Sequence, residues 1–339
     1  MAVKNGHAFL LGEIFMRYLG SKYRLLPFIE NVIEEVTNGN FNTFVDLFAG
    51  TGIVGRTYRE KGYYITSNDT QFYSYIVNKH FIENNKGVDD AILLHLNAIK
   101  GKKGFIFKHY GESSGKACFS DYNAMKCDAI RLEIERLYQD RQISYSEYIH
   151  CLASLIDSID RYANTTAIYS SYLKTLKSSA QRKFKLVPLP IIKGIKGKVY
   201  NEDANSLIRK ISGDVLYLDP PYNSRQYARI YHLLETIAKY DNPQLVGENR
   251  VRYYFDKKSK YSSSRTAMTS LKDLIVHADF KYIFLSYNNE GFIPLEYIQQ
   301  LMSNLGKYYC YKTKYQRFKL NKGLFAPQHT IEYVHCLEK

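Results

Sequence analysis

The residues of this chain that are best placed to do chemistry are Asp219, Pro220, Pro221 and Tyr222. They follow the apolar run Val215–Leu218, which predicts a buried strand. The prolines cannot donate to a sheet ladder, so the chain must leave the sheet at Asp219 with a fixed geometry. A carboxylate, a proline carbonyl and an aromatic ring then lie at the carboxyl end of a strand, where open α/β sheets bind ligands. The two oxygens can accept both hydrogens of an exocyclic amino group, and the ring offers a face for a planar base.

A second candidate element is a glycine-rich loop that follows the predicted strand Phe44–Phe48. Its glycines Gly50, Gly52 and Gly55 permit a tight turn and a close approach of the backbone to a ligand. They also satisfy the dinucleotide fingerprint G-x-G-x-x-G, so a nicotinamide or flavin oxidoreductase is a competing interpretation. Asp69, at the end of the next predicted strand, suits the ribose hydroxyls of either cofactor class. The Asp-Pro-Pro-Tyr element separates the two, because an oxidoreductase leaves it unexplained.

Together these motifs resemble those of the Dam-like (alpha-type) N6-adenine DNA methyltransferases of restriction-modification systems, which use S-adenosylmethionine. The segment Tyr18-Leu19-Gly20-Ser21-Lys22 is similar to the family's aromatic-x-Gly-x-Lys segment. Asp46–Gly52 is similar to its methionine-binding loop, and Asn201–Ala204 to its acidic segment for the cofactor's adenine. The cofactor-binding residues that this resemblance implies are Tyr18, Lys22, Asp46, Phe48, Gly50, Gly52, Asp69, Asp203 and Asp219. The implied catalytic residues are Asp219, Pro220, Pro221 and Tyr222, acting on a flipped-out adenine, and no metal is implied.

The predicted fold is α/β: a Rossmann-like methyltransferase sheet with helices on both faces, an antiparallel carboxyl-terminal strand pair and a largely helical insertion. Residues 1–90 and 186–339 are expected to form the catalytic core. Residues 91–185 are the expected insertion, because their apolar residues recur at helical spacing. We interpret the insertion as a candidate target-recognition domain, and the alternative is a helical cap that only covers the sheet. Within it, the Gly/Lys-rich stretch Lys100–Lys108 predicts a mobile basic loop.

The net charge favours a polyanionic partner. The 339 residues include 47 lysines and arginines against 33 acidic residues, which leaves a formal charge of +14. Such a chain is attracted to phosphate backbone, and its 32 tyrosines can stack on bases. A general solubility bias is the alternative interpretation. The basic residues expected to contact DNA are Lys174, Lys177, Arg182, Lys183, Arg225 and Arg317, with Arg250–Arg265 as a further candidate segment. Residues that read bases are expected within 91–185 or 243–270.

Cysteine usage and hydropathy bear on the compartment. The five cysteines are odd in number, widely spaced and without a C-x-x-C pair. This pattern argues against a disulfide framework or a zinc site, and for a reducing interior. The sequence shows no signal-peptide pattern and no apolar stretch of membrane-spanning length. We therefore expect a cytoplasmic protein.

The resulting hypothesis is a site-specific adenine-N6 methyltransferase acting on double-stranded DNA, paired with a cognate restriction endonuclease encoded nearby. One alternative is an amino methyltransferase for adenine in RNA or for cytosine N4 in DNA. Asp219 favours adenine, since cytosine-N4 enzymes more often carry Ser at that position. Another alternative is a non-catalytic DNA-binding relative, against which the intact Asp219, Tyr222 and glycine loop argue. The oligomeric state is not indicated by the sequence.

Overall fold

A computed structural model describes residues 16–166, 168–316 and 329–339 of the chain. The strands are β1 (Thr43–Asp46), β2 (Tyr64–Asn68), β3 (Lys198–Tyr200), β4 (Ser212–Leu218), β5 (Leu245–Val246), β6 (Val251–Arg252), β7 (Asp279–Asn288), β8 (Lys307–Gln316) and β9 (His329–Glu338). The helices are α1 (Leu26–Thr37), α2 (Ile53–Glu60), α3 (Phe72–Glu83), α4 (Asp90–Ala98), α5 (Phe105–Tyr110), α6 (Asp121–Gln139), α7 (Tyr145–Tyr162), α8 (Ser178–Gln181), α9 (Ala204–Leu207), α10 (Tyr227–Ile230), α11 (His232–Lys239), α12 (Ala267–His277) and α13 (Leu295–Ser303). None of the helices in these ranges is both long and apolar enough to cross a membrane.

Seven strands of the described residues form one sheet, in the order β3-β2-β1-β4-β7-β9-β8. The first five strands of this order are parallel, whereas β9 is antiparallel to both β7 and β8. The dinucleotide-binding fold has the strand order 3-2-1-4-5-6. This sheet follows that order as far as its fifth strand and then inserts the antiparallel β9 before β8. The predicted Rossmann-like sheet with an antiparallel carboxyl-terminal pair is therefore confirmed.

Helices cover both faces of the sheet. Successive side chains of a strand point to opposite faces, so a strand covered on both sides is apolar throughout. Val45 and Leu216 belong to the core on one face, with apolar residues of α9, α12 and α13. Their neighbours Phe44 and Val215 belong to the core on the other face, with residues of α1 and α2. The double coverage leaves the carboxyl ends of the parallel strands as the place where polar side chains gather.

The predicted insertion is helical and shares its core with helices of the sheet domain. Its second long helix, α7, begins with a capping box, in which Ser144 Oγ accepts from Glu147 N and the Glu147 carboxylate accepts from Ser144 N. Buried residues of α6 and α7 form one apolar cluster with Tyr73 of α3 and Leu233 of α11. Residues 91–185 are thus packed onto α3 and α11 through a continuous core. Their role in target recognition stays a prediction.

The expected mobile loop at Lys100–Lys108 is wrong in its second half, where α5 begins. The carboxylate of Asp128, on α6, accepts hydrogen bonds from the backbone N–H groups of Gly104, Ile106 and Phe107 at 2.8–3.0 Å. Three otherwise unpaired donors at the amino end of α5 are satisfied in this way. The cap comes from a different helix, so no local pattern around Lys100 indicated it.

Candidate active site

The Asp219–Tyr222 element leaves the sheet at the carboxyl end of β4, as the sequence predicts. The last four residues of β4 are buried, and the chain turns away immediately after them. The Tyr222 carbonyl accepts a hydrogen bond from Phe292 N at 3.0 Å. The Tyr222 ring meets the Tyr287 ring edge-on, with 6.1 Å between centroids. These contacts with β7 and the segment after it fix the position of the Tyr222 ring.

Lys22 forms an ion pair with the first residue of that element. Its Nζ lies 3.0 Å from Asp219 Oδ1, and the residue is only 5% exposed. Burial opposes the charge of Lys22, but the carboxylates of Asp219 and Glu332 outweigh it and raise the pKa of Lys22 well above its usual range. Burial raises the pKa of Asp219 to about 6, although Lys22 opposes that shift. Lys22 is therefore charged at neutral pH, and Asp219 is mostly ionised.

The glycine loop adopts a conformation that excludes side chains. Gly50 has φ +53° and Gly52 has φ +75°, in the left-handed region that favours glycine. A Cβ atom at Gly50 would lie 3.1 Å from the ring of Tyr18. A Cβ atom at Gly52 would lie 2.5 Å from Asn78 Oδ1. Backbone conformation and available space therefore both require glycine at these positions.

Two acidic residues hold the glycine loop. Asp69 accepts hydrogen bonds from Gly50 N at 2.9 Å and from Gln71 N at 2.8 Å. Asp46 accepts one from Gly55 N at 3.1 Å. Burial raises the pKa of Asp69 to about 6 and that of Asp46 to about 7, in both cases against their backbone hydrogen bonds. In the part of the chain that the structure describes, no group of His, Cys, Asp and Glu side chains is arranged to hold a metal ion.

Asp203 and Phe48 lie in the walls of the same cavity. The Asp203 carboxylate caps α9 by accepting from Ser206 N at 3.1 Å. The ring of Phe48 meets the ring of Tyr261 edge-on, with 5.1 Å between centroids. Tyr261 is buried and also lines the cavity, yet sequence reasoning missed it. Its position in a Tyr/Ser-rich segment without periodicity gave no signal.

A cluster of tyrosines anchors the amino-terminal segment that carries Lys22. Tyr18 stacks on Tyr231, with 4.6 Å between ring centroids and 12° between ring planes. The Tyr231 hydroxyl accepts from Leu19 N at 2.6 Å, and the Tyr227 hydroxyl donates to the Leu19 carbonyl at 3.1 Å. Sequence reasoning did not single out Tyr227 and Tyr231 as site residues. Tyr227 begins α10 and Tyr231 lies between α10 and α11. Their spacing of four, shortly after the Asp219–Tyr222 element, was the available signal.

These elements enclose one cavity of about 370 Å³. Its walls include most of the residues predicted for cofactor binding and catalysis, namely Tyr18, Lys22, Asp46, Phe48, Gly50, Asp69, Asp203, Asp219, Pro220, Pro221 and Tyr222. Gly52 does not line the cavity; it lies two residues after Gly50 in the same glycine loop. The carboxyl ends of β1, β2 and β4 thus open into the same hollow. This hollow is lined by several carboxylates, a set of aromatic rings and four lysines, namely Lys22, Lys239, Lys258 and Lys260.

The basic residues expected to contact DNA lie outside this cavity. Lys174, Arg182, Lys183 and Arg225 are exposed. Lys177 is half-buried, and its Nζ donates to the Thr165 carbonyl at 2.7 Å, so its charge already holds a neighbouring loop. Arg317 lies outside the described residues. The DNA contacts of these residues stay predictions.

Comparison with known proteins gives a consistent result. The family model for D12 class N6 adenine-specific DNA methyltransferases matches residues 18–301. The chain is 41% identical over 334 residues to the Type II methyltransferase M.NlaIII of Neisseria lactamica, covering 96% of this chain and 99% of that protein. It is 37% identical over 342 residues to the Type II methyltransferase M.FokI of Planomicrobium okeanokoites, covering 96% of this chain. It spans 53% of M.FokI, about half of that relative.

Similarity to solved structures is much weaker. A putative RNA methyltransferase, PH1948 from Pyrococcus horikoshii, matches with a TM-score of 0.34 and 9% identity, over 95% of this chain and 87% of that one. A similarity at this level carries no information about the reaction. In contrast, the range matched by the family model, residues 18–301, contains every cavity residue named above. The chain belongs to the D12 class N6 adenine-specific DNA methyltransferases.

Proposed function

We propose that the protein transfers a methyl group from S-adenosylmethionine to the N6 amino group of an adenine at a specific site in duplex DNA. The observation that carries this proposal is the shared cavity: Asp219 and Tyr222 line the same hollow as Gly50, Asp69 and Asp203. The part lined by Asp219 and Tyr222 suits an amino group on a planar base. The part lined by Gly50, Asp69 and Asp203 suits a nucleoside cofactor with a charged tail.

The residues of the cavity fit S-adenosylmethionine by their chemistry. Gly50 offers bare backbone to the methionine end, Asp69 offers acceptors to the ribose hydroxyls, and Asp203 offers one to the adenine amino group. The carboxylates of Asp46, Asp69 and Asp219 favour a cation, because charges act strongly in a partly water-excluded site. When bound, the sulfonium supplies an activated methyl group. This assignment rests on the donor and acceptor set of the walls.

Asp219 would orient the target nitrogen. Lys22 holds Oδ1 of Asp219 at 3.0 Å, which leaves Oδ2 free to accept one hydrogen of the adenine amino group. The Pro220 carbonyl would accept the other hydrogen. Asp219 and Pro220 would thereby direct the nitrogen lone pair towards the methyl group that a bound S-adenosylmethionine would supply. Alignment of this kind is the main catalytic contribution available to an in-line transfer.

The Asp219 carboxylate would also stabilise the positive charge that develops on the nitrogen. The nitrogen must lose a proton once it is methylated. Asp219, with a pKa of about 6, is the base within reach of it. These two tasks require Asp219 to be ionised before the transfer begins.

The target base must leave the duplex to reach this cavity. Flipping a base costs a few kcal/mol, and stacking on an aromatic ring returns about 1–3 kcal/mol. Tyr222 is held by Tyr287 and Phe292, so its ring is the surface on which the flipped base would stack. Phosphate contacts would come from exposed basic residues, and the residues that read bases would lie within 91–185 or 243–270.

The biological setting that we propose is a restriction-modification system. The relatives M.NlaIII and M.FokI are named Type II methyltransferases, which supports a protective role beside a cognate restriction endonuclease. No physical contact with such an endonuclease is implied. The cytoplasm, where chromosomal DNA is accessible, is the proposed compartment.

The test is to incubate the protein with methyl-labelled S-adenosylmethionine and duplex DNA, digest the DNA to nucleosides and identify the labelled product. We expect the label in N6-methyldeoxyadenosine. Matched duplexes that lack adenine, and an RNA of the same sequence, serve as controls. Label in N4-methylcytosine, or in the RNA alone, would contradict the proposal.

A further inference from the structure

A cluster of exposed aromatic rings lies between β6 and α12. Tyr253 and Phe255 are 45% and 49% exposed, and their ring centroids are 5.5 Å apart. The ring of Tyr254 stacks on that of Phe255, with 4.9 Å between centroids and 18° between ring planes. Clustered apolar side chains at a polar surface mark an interaction site, because leaving them in water forfeits the free energy of their burial. We call residues 253–260 the aromatic loop.

Both ends of the aromatic loop are fixed to the rest of the protein. Directly before it, the Arg252 guanidinium donates to both carboxylate oxygens of Asp241, at 2.5 and 2.6 Å. Near its other end, Ser259 N donates to Gln226 Oε1 at 2.9 Å. The next residue after the loop, Tyr261, is buried. The surrounding structure therefore holds the exposed rings in water at a defined place.

That place is the edge of the cavity in which the proposed transfer occurs. Asp256, Lys258, Ser259 and Lys260 line this cavity. Asp256 also lines an adjoining hollow of about 240 Å³, together with Tyr253. Lys258 and Lys260 are exposed as well as lining the cavity, so they lie at its mouth. DNA that delivers a base into the cavity must pass close to the aromatic loop.

The charge of the aromatic loop suits a phosphate backbone. Its sequence, Tyr-Tyr-Phe-Asp-Lys-Lys-Ser-Lys, contains three lysines and one aspartate. The Lys258 ammonium lies 4.4 Å from the centroid of the Phe255 ring, so charge and ring surface are adjacent. Rings that stack on bases beside cations that neutralise phosphates are the combination with which proteins hold nucleic-acid strands. The chemistry of the loop therefore fits DNA at the mouth of the cavity.

We infer that the aromatic loop enters the duplex beside the extruded adenine, where the rings of Tyr253 and Phe255 fill the space that the base has left. This inference rests on the proposed function. Extrusion unstacks the target base and leaves a gap between its neighbours. Apolar side chains can insert between base steps, and an aromatic ring restores the stacking that a neighbouring base has lost. The loop thus stabilises the extruded state, while Tyr222 holds the base inside the cavity.

The experiment compares single-turnover methylation of two duplexes that contain the site methylated by the wild type, mapped beforehand in plasmid DNA. In one duplex the target adenine faces thymine. In the other it faces a pyrene nucleotide, which fills the gap in the stack and keeps the adenine extruded. On the paired duplex, the double variant Tyr253→Ala/Phe255→Ala should be at least about tenfold slower than the wild type, the effect of one lost base–ring stack. On the pyrene duplex it should match the wild type to within about threefold.

Both substituted rings are exposed, so the double variant should keep the thermal stability of the wild type. Val276→Ala is the control, because Val276 is 45% exposed near the end of α12, at the opposite end of the sheet from the cavity. It should match the wild type on both duplexes. An equal loss for the double variant on the two duplexes, or no loss on the paired one, would overturn the inference. An equal loss together with weaker S-adenosylmethionine binding in calorimetry would assign the loop to the cofactor instead.

A second measurement does not depend on turnover of the pyrene duplex. When 2-aminopurine replaces the target adenine, its extrusion raises its fluorescence. At saturating protein we expect a smaller rise for the double variant than for the wild type, and an equal rise would overturn the inference. If the wild type itself forms no N6-methyladenine, the proposed function fails instead, so the two failures are distinguishable.

Discussion

Asp46 illustrates how single site residues trade stability against function. Burial raises its pKa to about 7 in the folded chain, against about 3.9 in an unfolded chain. The group therefore favours folding at low pH and loses that contribution as the pH rises through about 7. Each pKa unit corresponds to about 1.4 kcal/mol, so the cost above pH 7 is on the order of a few kcal/mol.

We accordingly expect Asp46→Asn to stabilise the cofactor-free protein at about pH 8 and to leave its stability nearly unchanged at about pH 4. Asn retains an oxygen that can accept from Gly55 N. Thermal unfolding at the two pH values checks this, with Asp279→Asn, an exposed position at the opposite end of the sheet, as the control. An Asp46→Asn protein that is less stable than wild type at pH 8 would show that the buried charge of Asp46 does not destabilise the fold.

The sequence best predicted those site residues whose positions are set by their neighbours along the chain. Asp219 and Tyr222 follow a strand and two prolines, so their place at the cavity was foreseeable. Tyr261 was not, because its ring is brought to the cavity by contact with Phe48, which is far from it in the sequence.

The glycine loop provides a test at the scale of an element. Gly52 and Gly115 have almost the same φ, +75° and +76°. A Cβ at Gly52 would lie 2.5 Å from Asn78 Oδ1, whereas a Cβ at Gly115 would meet nothing within 4 Å. The amide of Asn78 also donates to the Gly50 carbonyl at 3.0 Å, so Asn78 cannot move without disturbing the loop.

We expect Gly115→Ala to cost about 1 kcal/mol, the left-handed backbone penalty alone. Gly52→Ala should cost clearly more and should also weaken cofactor binding at least tenfold. Urea unfolding and calorimetric titration with S-adenosylmethionine measure the two effects. Equal effects of the two substitutions on cofactor affinity would mean that the close contact between position 52 and Asn78 does not affect cofactor binding.

The apolar periodicity of the sequence predicts helices over about 124–139 and 146–162, which match α6 (Asp121–Gln139) and α7 (Tyr145–Tyr162) to within three residues at each end. The alternating runs around Tyr309 and Val334 likewise predicted β8 and β9 as an antiparallel pair. The helix α5 was missed because its cap, Asp128, comes from α6. The position of β9 between β7 and β8 could not be predicted from the sequence either, because strand order depends on packing across the whole sheet.

At the scale of the whole molecule, the excess of positive charge should appear as salt-dependent DNA binding. We expect joint replacement of Lys174, Arg182 and Lys183 by Gln to weaken binding to all sequences alike. The salt slope should fall by up to about 0.9 for each lost phosphate contact. Lys177 is left intact because its Nζ already holds the Thr165 carbonyl.

Filter binding or fluorescence anisotropy over a salt series gives the slope. The control is the triple Gln replacement of Lys272, Lys281 and Lys307, which are exposed elsewhere on the protein. If both triple variants flatten the slope equally, the charge acts as a general field and residues 172–185 hold no specific phosphates.

We propose that Asp219 presents the target amino group for transfer, and substituting Asp219 separates DNA binding from chemistry. In Asp219→Ala the substituted side chain lies in the cavity, away from the exposed basic residues predicted to contact DNA, so we expect the protein to fold and still bind duplex DNA. Single-turnover methylation with saturating cofactor should fall by at least a thousandfold, about 4 kcal/mol in the activation barrier. Asp279→Ala, at the far end of the sheet, should match the wild type. A folded Asp219→Ala protein that methylates adenine at the wild-type rate would show that Asp219 does not present the target amino group.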